Sequence, residues 1–410
     1  MNYVIIGNSA AAVGCIEGIR QKDKTGTITV ISNEPYHTYG RPLISYLLWG
    51  KTTLKKMDYR PKTFYQDNQV KPMLGRTAEK IDVTGKQVYL DGGEIVTYDK
   101  LLIATGSRPF IPPMEGYDKV ENKFTFLSLD DAKALEKALF PGARVLIIGA
   151  GLIGLKCAEG ISEKCGKITV VDLADRILPS VLDQKGSQIV EKHIKKQGID
   201  FILSNSVQKF EKQEAILKDG QKLEFDILVT AVGVRPNTEL VKDAGSEINR
   251  GIVTDENGKT SLPDVYAAGD CTESYDITIQ QRRILALLPN AYRQGETAGI
   301  SMAGGNKPLT DCIPMNAVGF FGLHIITAGS YEGDEFVTCK GGNYKKLVTK
   351  DGVLKGYILI GDVARAGIYT AMIRNETPLS TVDFDLLKKK PQLMAFSSSV
   401  RAEELGGVPS

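Results

Sequence analysis

The sequence predicts an α/β chain with two parallel-sheet modules of one plan and a small α+β module at its C-terminus. Three observations carry this. Gly149-Ala150-Gly151-Leu152-Ile153-Gly154 spaces its glycines as G-x-G-x-x-G between an apolar run, 145–148, and a helix-prone run, 155–159. Gly7-Asn8-Ser9-Ala10-Ala11-Ala12 repeats that arrangement in degenerate form after Val4-Ile5-Ile6. Residues 98–109 and 225–236 match each other at an offset of 127.

The first module opens at Asn2-Tyr3-Val4-Ile5-Ile6, a buried strand. Ser9 and Ala12 are small enough to stand where glycine lets a phosphate or a strand come near. A second strand, 27–34, ends on Glu34, an acid placed to hold a ribose or to stay in a solvated loop. Residues 39–50 are apolar and helical after Pro42. Arg41, just ahead, is placed either to grip a pyrophosphate bidentately or to cap a surface loop.

The second module is the stronger match. Gly149 permits a tight turn, Gly151 lets a pyrophosphate approach the backbone, and Gly154 lets the helix pack on its strand. The helix start then offers free N–H groups and a positive dipole end, with Leu152 and Ile153 in its first turn. The next strand, 167–172, places Asp172 23 residues after Gly149, positioned for a ribose 2′-hydroxyl. Each module then has a D-G hairpin, Asp91-Gly92 or Asp219-Gly220, and a strand ending in A-x-G-x-R-P. The fingerprints are offset by 142 and the strand ends by 127, so the first copy carries 15 extra residues, placed in 39–71. Two Rossmann-like dinucleotide-binding domains imply two dinucleotides. Further on, Gly269-Asp270 ends another strand, where a carboxylate can accept from a polyol hydroxyl or sit in a plain turn.

The totals exclude several classes. Among 410 residues 42% are hydrophobic and 24% charged, with a net charge of +2, so no nucleic-acid or membrane-binding surface is expected. The chain enters a strand at once and has no apolar run long enough to cross a bilayer, from which we expect no leader and a cytoplasmic protein. Six scattered cysteines without C-x-x-C argue against a disulfide scaffold, a zinc site or a dithiol pair. The three histidines form no metal-ligand spacing, and His193 is expected at the surface.

Together the motifs over roughly residues 1–310 resemble the flavoprotein pyridine nucleotide oxidoreductases with two dinucleotide-binding domains, a glutathione-reductase-like fold. Glu34-Pro35-Tyr36, Arg41-Pro42 and Ser45 are similar to the NADH:rubredoxin reductase, NADH oxidase and ferredoxin reductase branch. The resemblance implies FAD in 1–110 with 237–309, NADH in 111–236, and a C-terminal module, 310–410, that covers the flavin and forms a dimer interface. It implies FAD contacts at Gly7, Asn8, Ser9, Ala10, Ala12, Ser32, Asn33, Glu34, Arg41, Pro42, Ala78, Ala104, Thr105, Gly106, Gly269, Asp270, Pro289 and Asn316. It implies NADH contacts at Gly149, Gly151, Leu152, Ile153, Gly154, Asp172 and Gly233.

The sequence departs from the branch mildly at Ser9, where close approach of a phosphate needs only a small residue, and in two further places. Where the peroxidase and water-forming oxidase relatives carry a redox cysteine, alignment from Gly50 gives Pro42, and there is no cysteine between Cys15 and Cys157. Where relatives carry glutamate after the second fingerprint, this chain has Lys156, a cation that either tunes a reduced flavin or reaches solvent. Cys271 either approaches the flavin or is a small buried residue. Asp172 would repel a 2′-phosphate by about 4 kcal/mol at 4 Å and an effective dielectric of 20. A partly exposed arginine such as Arg176 offsets only about 0–1 kcal/mol, so NADH is expected over NADPH.

Hydride delivery between two stacked cofactors needs no acid–base side chain. The expected acceptor is a small acidic iron protein, rubredoxin or ferredoxin. Arg282-Arg283, Lys345-Lys346 and Lys388-Lys389-Lys390 are candidates for the basic rim it would meet. The alternatives are a peroxide-forming NADH oxidase and, from another class, a flavin-bearing redox-sensing or interaction subunit. Past Pro289 the sequence is helical. Residues 318–326, 344–349 and 356–361 read as strands, with a hairpin at Asp351-Gly352, and 363–375 as a helix. The tail from Lys388 to Ser410 is expected to be mobile or ordered only against another subunit.

Overall fold

The computed structural model describes residues 1–398 and 401. They form two compact units. One comprises Met1–Ile177, Lys195–Ser274 and Arg282–Thr310. The other comprises Leu178–Ile194, Tyr275–Gln281 and the described residues from Asp311 onward.

The first unit contains one topology twice. Its first copy runs β1 (Asn2–Ile6), α1 (Ala10–Lys22), β2 (Thr27–Ser32), α2 (Ile44–Leu48), β3 (Val70–Leu74) and β4 (Lys100–Ile103). The sheet order is Val265–Ala267, β4, β1, β2, β3, with every pairing parallel. The second copy adds β5 (Lys123–Phe124), α3 (Leu129–Ala138), β6 (Arg144–Ile148), α4 (Leu152–Ile161), β7 (Lys167–Val171), β8 (Ile199–Ile202) and β9 (Ile227–Thr230). Its order is β5, β9, β6, β7, β8, again all parallel. Most of the extra length in the first copy lies between β2 and β3, where α2 is inserted.

Burial explains why the central strands β1 and β6 are continuous apolar runs. Along β1, Val4 and Ile6 pack toward a three-stranded hairpin layer through Ile81, Val88 and Leu90. Tyr3 and Ile5 pack on the other face against α1, with Ala298 and Met302 of α5 (Leu288–Met302) in the same cluster. A strand covered on both faces has no reason to alternate polar residues. The second copy repeats the hairpin layer, with Leu146, Ile148 and Leu228 against Phe210, Ala215 and Leu217.

Helices α1 and α5 are in backbone contact through glycines. A methyl group at Gly295 would meet the Ala11 carbonyl oxygen at 1.9 Å, and one at Gly299 would meet that of Cys15 at 2.2 Å. Neither obstacle is a flexible side chain. Gly299→Ala is therefore expected to cost about 1–3 kcal/mol by forcing the helices apart. Denaturant unfolding of the flavin-loaded protein checks this, and an unchanged midpoint would contradict it.

The second unit holds an antiparallel sheet. Its strands are β10 (Met315–Phe320), β11 (Leu323–Gly329), β12 (Asp334–Lys340), β13 (Asn343–Lys350) and β14 (Val353–Ile360), followed by α6 (Ala366–Arg374). The order is β10, β11, β14, β13, β12. The expected strand 318–326 is in fact a hairpin. It reverses at Phe321 (φ 48°) and Gly322 (φ 84°), and Phe320 pairs with Leu323. Strand β12, an exposed edge, was not expected from sequence. The helix expected from Val363 begins at Ala366, because Arg365 takes a left-handed conformation (φ 61°) that stops it extending backward. About half of the expected tail, 399, 400 and 402–410, lies outside the described residues. Up to 398 the chain is built, with a helix at Phe384–Lys389 and a bridge from Val382 to Phe396.

Candidate functional site

Two cradles form where β1 and β6 turn into their helices. Gly7 (φ 121°) and Gly149 (φ 112°) need glycine twice over. Both have left-handed backbone, and a Cβ would sit 2.0 Å from the Ala104 oxygen or 2.3 Å from the Ala231 oxygen. Ala104 and Ala231 are the matching residues of the internal repeat. Each fingerprint glycine is thus packed against the end of its neighbouring strand. The two repeat ends also pair with each other, as Ser107–Pro109 lies antiparallel to Val234–Pro236. Gly106 accepts from the Asn237 N–H and Gly233 from the Phe110 N–H, both at 2.9 Å.

In the first cradle Asn8 is fixed by donating to the Tyr36 carbonyl (3.1 Å) and accepting from the Tyr65 hydroxyl (2.8 Å). Ser9 caps α1 without a side-chain bond, and Ala10 and Ala12 are buried behind it. Ser32 Oγ accepts from the Glu34 N–H at 3.2 Å, and Asn33 is exposed. Glu34 already has two partners, Arg41 (2.6 Å) and the Tyr39 hydroxyl (2.7 Å). Tyr39 in turn accepts from the Leu129 N–H at the start of α3, so the loop of one module is tied to a helix of the other. Pro42 is exposed and Ala78 half-buried. Thr105 and Asn237 bond each other reciprocally, the hydroxyl to a carbonyl (2.7 Å) and the amide to a carbonyl (2.9 Å). Gly269 donates to Gln294 on α5 at 2.6 Å, and Pro289 lies in the first turn of α5.

Asp270 differs from the other acids. It is crowded yet half-exposed, and among the described residues its carboxylate receives no hydrogen bond. Burial pushes its carboxyl above the usual carboxylate range, with Arg41 pulling the other way. A raised value means that flavin-free protein has the full contribution of this group below the ordinary carboxylate pKa. That contribution is lost as pH rises through the raised value. Asp270→Asn should therefore gain melting temperature over wild type as pH increases through this range, read on the flavin-free forms. A constant difference would contradict it.

In the second cradle Gly151 caps α4, Leu152 and Ile153 are half-buried, and Gly154 is buried against the Gly149 carbonyl. Asp172 accepts from the Ala150 N–H (2.5 Å) and the Ala174 N–H (2.7 Å), which fixes the carboxylate beside the fingerprint. Asp175 accepts from Arg176 at 2.8 Å. Lys156 does not run to solvent. Its ammonium pairs with the buried Glu159 and lies 4.3 Å from the ring centroid of Tyr46 on α2.

The family model for pyridine nucleotide-disulphide oxidoreductases matches residues 1–295. The chain belongs to that family. It is an NAD(P)H-dependent flavoprotein oxidoreductase, FAD being characteristic of the family. Among curated relatives, the NADH-dependent phenylglyoxylate dehydrogenase subunit epsilon of Aromatoleum evansii is 30% identical over 92% of each chain. The rubredoxin-NAD(+) reductase of Alcanivorax borkumensis is 30% identical over 88% of this chain and 95% of that one. The chain spans about half the length of other curated relatives that it matches. In fold it is similar to the covalent putidaredoxin reductase–putidaredoxin complex, with TM-score 0.86 and 24% identity over 98% of this chain and 97% of that chain.

The residues present fit two dinucleotides of this family. Helices α1, α4 and α5 have no acid in their first turn and no side-chain cap. Helix α3 has both, with Ser128 and Asp131 forming a capping box. The first three leave their N–H groups and dipole ends for an external anion. Gly106, Gly151 and Gly233 border open space that a Cβ would enter without contact.

Lys346 and His193 depart from expectation, and the other residues are placed as follows. Lys346 is buried, paired with Asp183 (3.2 Å) and Glu335 (2.6 Å), and belongs to no basic rim. Lys345 donates to the carbonyls of Lys388 and Lys389, and Lys388 pairs with Asp385. Arg282 donates to the Thr254 carbonyl. His193 is half-buried, 3.1 Å from the Phe321 carbonyl. Cys271 is fully buried, its thiol pushed up to about 11 by desolvation and pointed at backbone carbonyls. Asn316 lies in the second unit, its amide near Thr327. Among the described residues no acid, histidine and cysteine group could hold a metal, and no helix is long and apolar enough to cross a membrane. Sequence reasoning missed Tyr39, Tyr65, Glu159 and Asn237. Glu159, three residues after Lys156 on one helix face, was the one with a readable signal.

Proposed function

We propose that the chain is an FAD-dependent NADH:acceptor oxidoreductase that delivers electrons to a small iron protein of the rubredoxin or ferredoxin type without a redox-active cysteine. FAD belongs to 1–110 with 237–309 and NADH to 111–236. The observation that carries this is the doubled cradle, two bare helix starts on matching sheets whose repeat ends pair with each other. When bound, the flavin accepts two electrons at once and can release them singly. The chain's own residues bind and orient. The starts of α1 and α4 take the pyrophosphates, and Asp270 accepts from a polyol hydroxyl. Asp172, fixed by two N–H groups, accepts from a ribose hydroxyl. Lys156 acts as one half of a neutralised pair, so its influence on the flavin is that of a dipole rather than a lone cation.

Two features support the absence of a thiol step. Counting back from Gly50 puts Pro42 at the place of the relatives' cysteine. Cys15, Cys157 and Cys271 are buried with thiols pushed up by desolvation, opposite to what a nucleophile needs. The iron-protein acceptor follows the rubredoxin reductase relative. The subunit relative favours a second reading, an NADH-oxidising subunit of a larger enzyme.

Stopped-flow reduction of the yellow protein by NADH, then reoxidation by rubredoxin, ferredoxin and oxygen in turn, tests both. Fastest reoxidation by an iron protein supports the first reading. Fastest reoxidation by oxygen makes the chain an oxidase. Slow reoxidation by all three favours the subunit. A colourless protein that takes up no FAD would sink every reading.

A further inference from the structure

The lysine pairs expected to form a rim are mostly engaged elsewhere, so the docking surface for an acidic carrier must be sought again. The turn after α2 offers one. Lys51, Leu54, Lys55 and Lys56 are all exposed, and Leu54 is 50% exposed in a short 3-10 turn, Leu54–Lys56. Among the described residues, none of these three ammonium groups has an anion partner. Lys51 lies 5.0 Å from the ring centroid of Trp49, whose indole donates to Glu163 at 3.0 Å. Elsewhere comparable lysines are spent locally, Lys62 on Asp58 and Lys164 on Glu136.

We propose that this turn is where the one-electron carrier docks, as a small acidic iron protein seated on Leu54 and ringed by Lys51, Lys55 and Lys56. The proposal rests on the reading of the chain as an NADH:iron-protein oxidoreductase. Three positive charges around one leucine make a small, steered contact. That suits a partner that must arrive and leave quickly and does not suit a permanent subunit. The position is apt because the turn comes five residues after α2, and α2 is itself preceded by the 3-10 turn Arg41–Leu43 in the first cradle. Pro42 and Trp49 are seven residues apart, on the order of 10 Å along a helix axis. Glu163 sits at the edge of the patch and sharpens the selection, since it repels a partner whose acids reach past the lysines.

The test uses the flavin-loaded full chain with Lys51→Glu, Lys55→Glu and Lys56→Glu combined, and purified rubredoxin as the probe. Flavin content and melting temperature confirm that the variant folds. At low ionic strength the KM for rubredoxin and its calorimetric Kd should rise at least about tenfold. kcat and the rate of flavin reduction by NADH should stay unchanged. The gap should close at high salt. Lys192→Glu with Lys196→Glu, on the helix Gln184–Lys195 and just beyond it, should leave the rubredoxin KM as it was. An unchanged KM and Kd in the triple variant overturn the docking site while leaving the proposed reaction intact. Wild-type protein that reduces neither rubredoxin nor ferredoxin overturns both. A change of oligomeric state in the triple variant assigns the patch to a second copy of this chain instead.

Discussion

Gly151→Val is expected to fold, to keep its flavin and to lose NADH. A Cβ at Gly151 meets no protein atom within 4 Å, and the backbone there is extended at φ −81°, which valine adopts readily. Apart from its chain neighbours, no protein atom crowds that Cβ, so the added bulk acts on a pyrophosphate lying over the start of α4. By contrast, a side chain at Gly149 or Gly154 would strike backbone oxygens at 2.3 or 2.0 Å and report on folding instead. We expect kcat/KM for NADH to fall at least about 100-fold, since displacing the coenzyme by the width of a methyl group spoils the reacting geometry. Flavin absorbance and melting temperature should match wild type. An unaltered kcat/KM would remove the second cradle from the reaction.

Asp172→Asn should move coenzyme preference toward NADPH. Wild type is expected to show a kcat/KM ratio for NADH over NADPH above one. In the proposed reading the fixed carboxylate takes the ribose 2′ position, and Arg176, four residues on, is engaged by Asp175. Two like charges at about 4 Å repel by about 4 kcal/mol at an effective dielectric of 20, which bounds the change near 10³-fold. Partial exposure of the site lowers this to about 10- to 100-fold. Asparagine keeps the shape and loses the charge, so NADH itself should suffer less than NADPH gains. A wild-type ratio below one would defeat the assignment of Asp172.

The parallel sheets were legible because their central strands β1 and β6, buried on both faces, are short apolar runs that end in glycine. Two of the hairpins were legible because Asp-Gly marks their turns. The hairpin around Phe321-Gly322 was not, since its turn lies inside an apolar run and Phe321 adopts a left-handed conformation with no turn residue to announce it. At the site, the fingerprints and the acids after each second strand could be read from spacing. Tyr39, which bonds Glu34 and receives the Leu129 N–H, could not, because its partners are fixed only when two modules meet. Lys346 failed for the same reason. Its neighbours in sequence suggest a solvated charge, and only the sheet brings Asp183 and Glu335 to it.

The ribbon formed by Ser107–Pro109 and Val234–Pro236 means that the polypeptide leaves the first module and returns to it along a single two-lane bridge. Severing either lane would not release the insert. The intact lane would still hold the severed ends in register, so a protease clip near residue 111 should yield fragments that travel together until denatured.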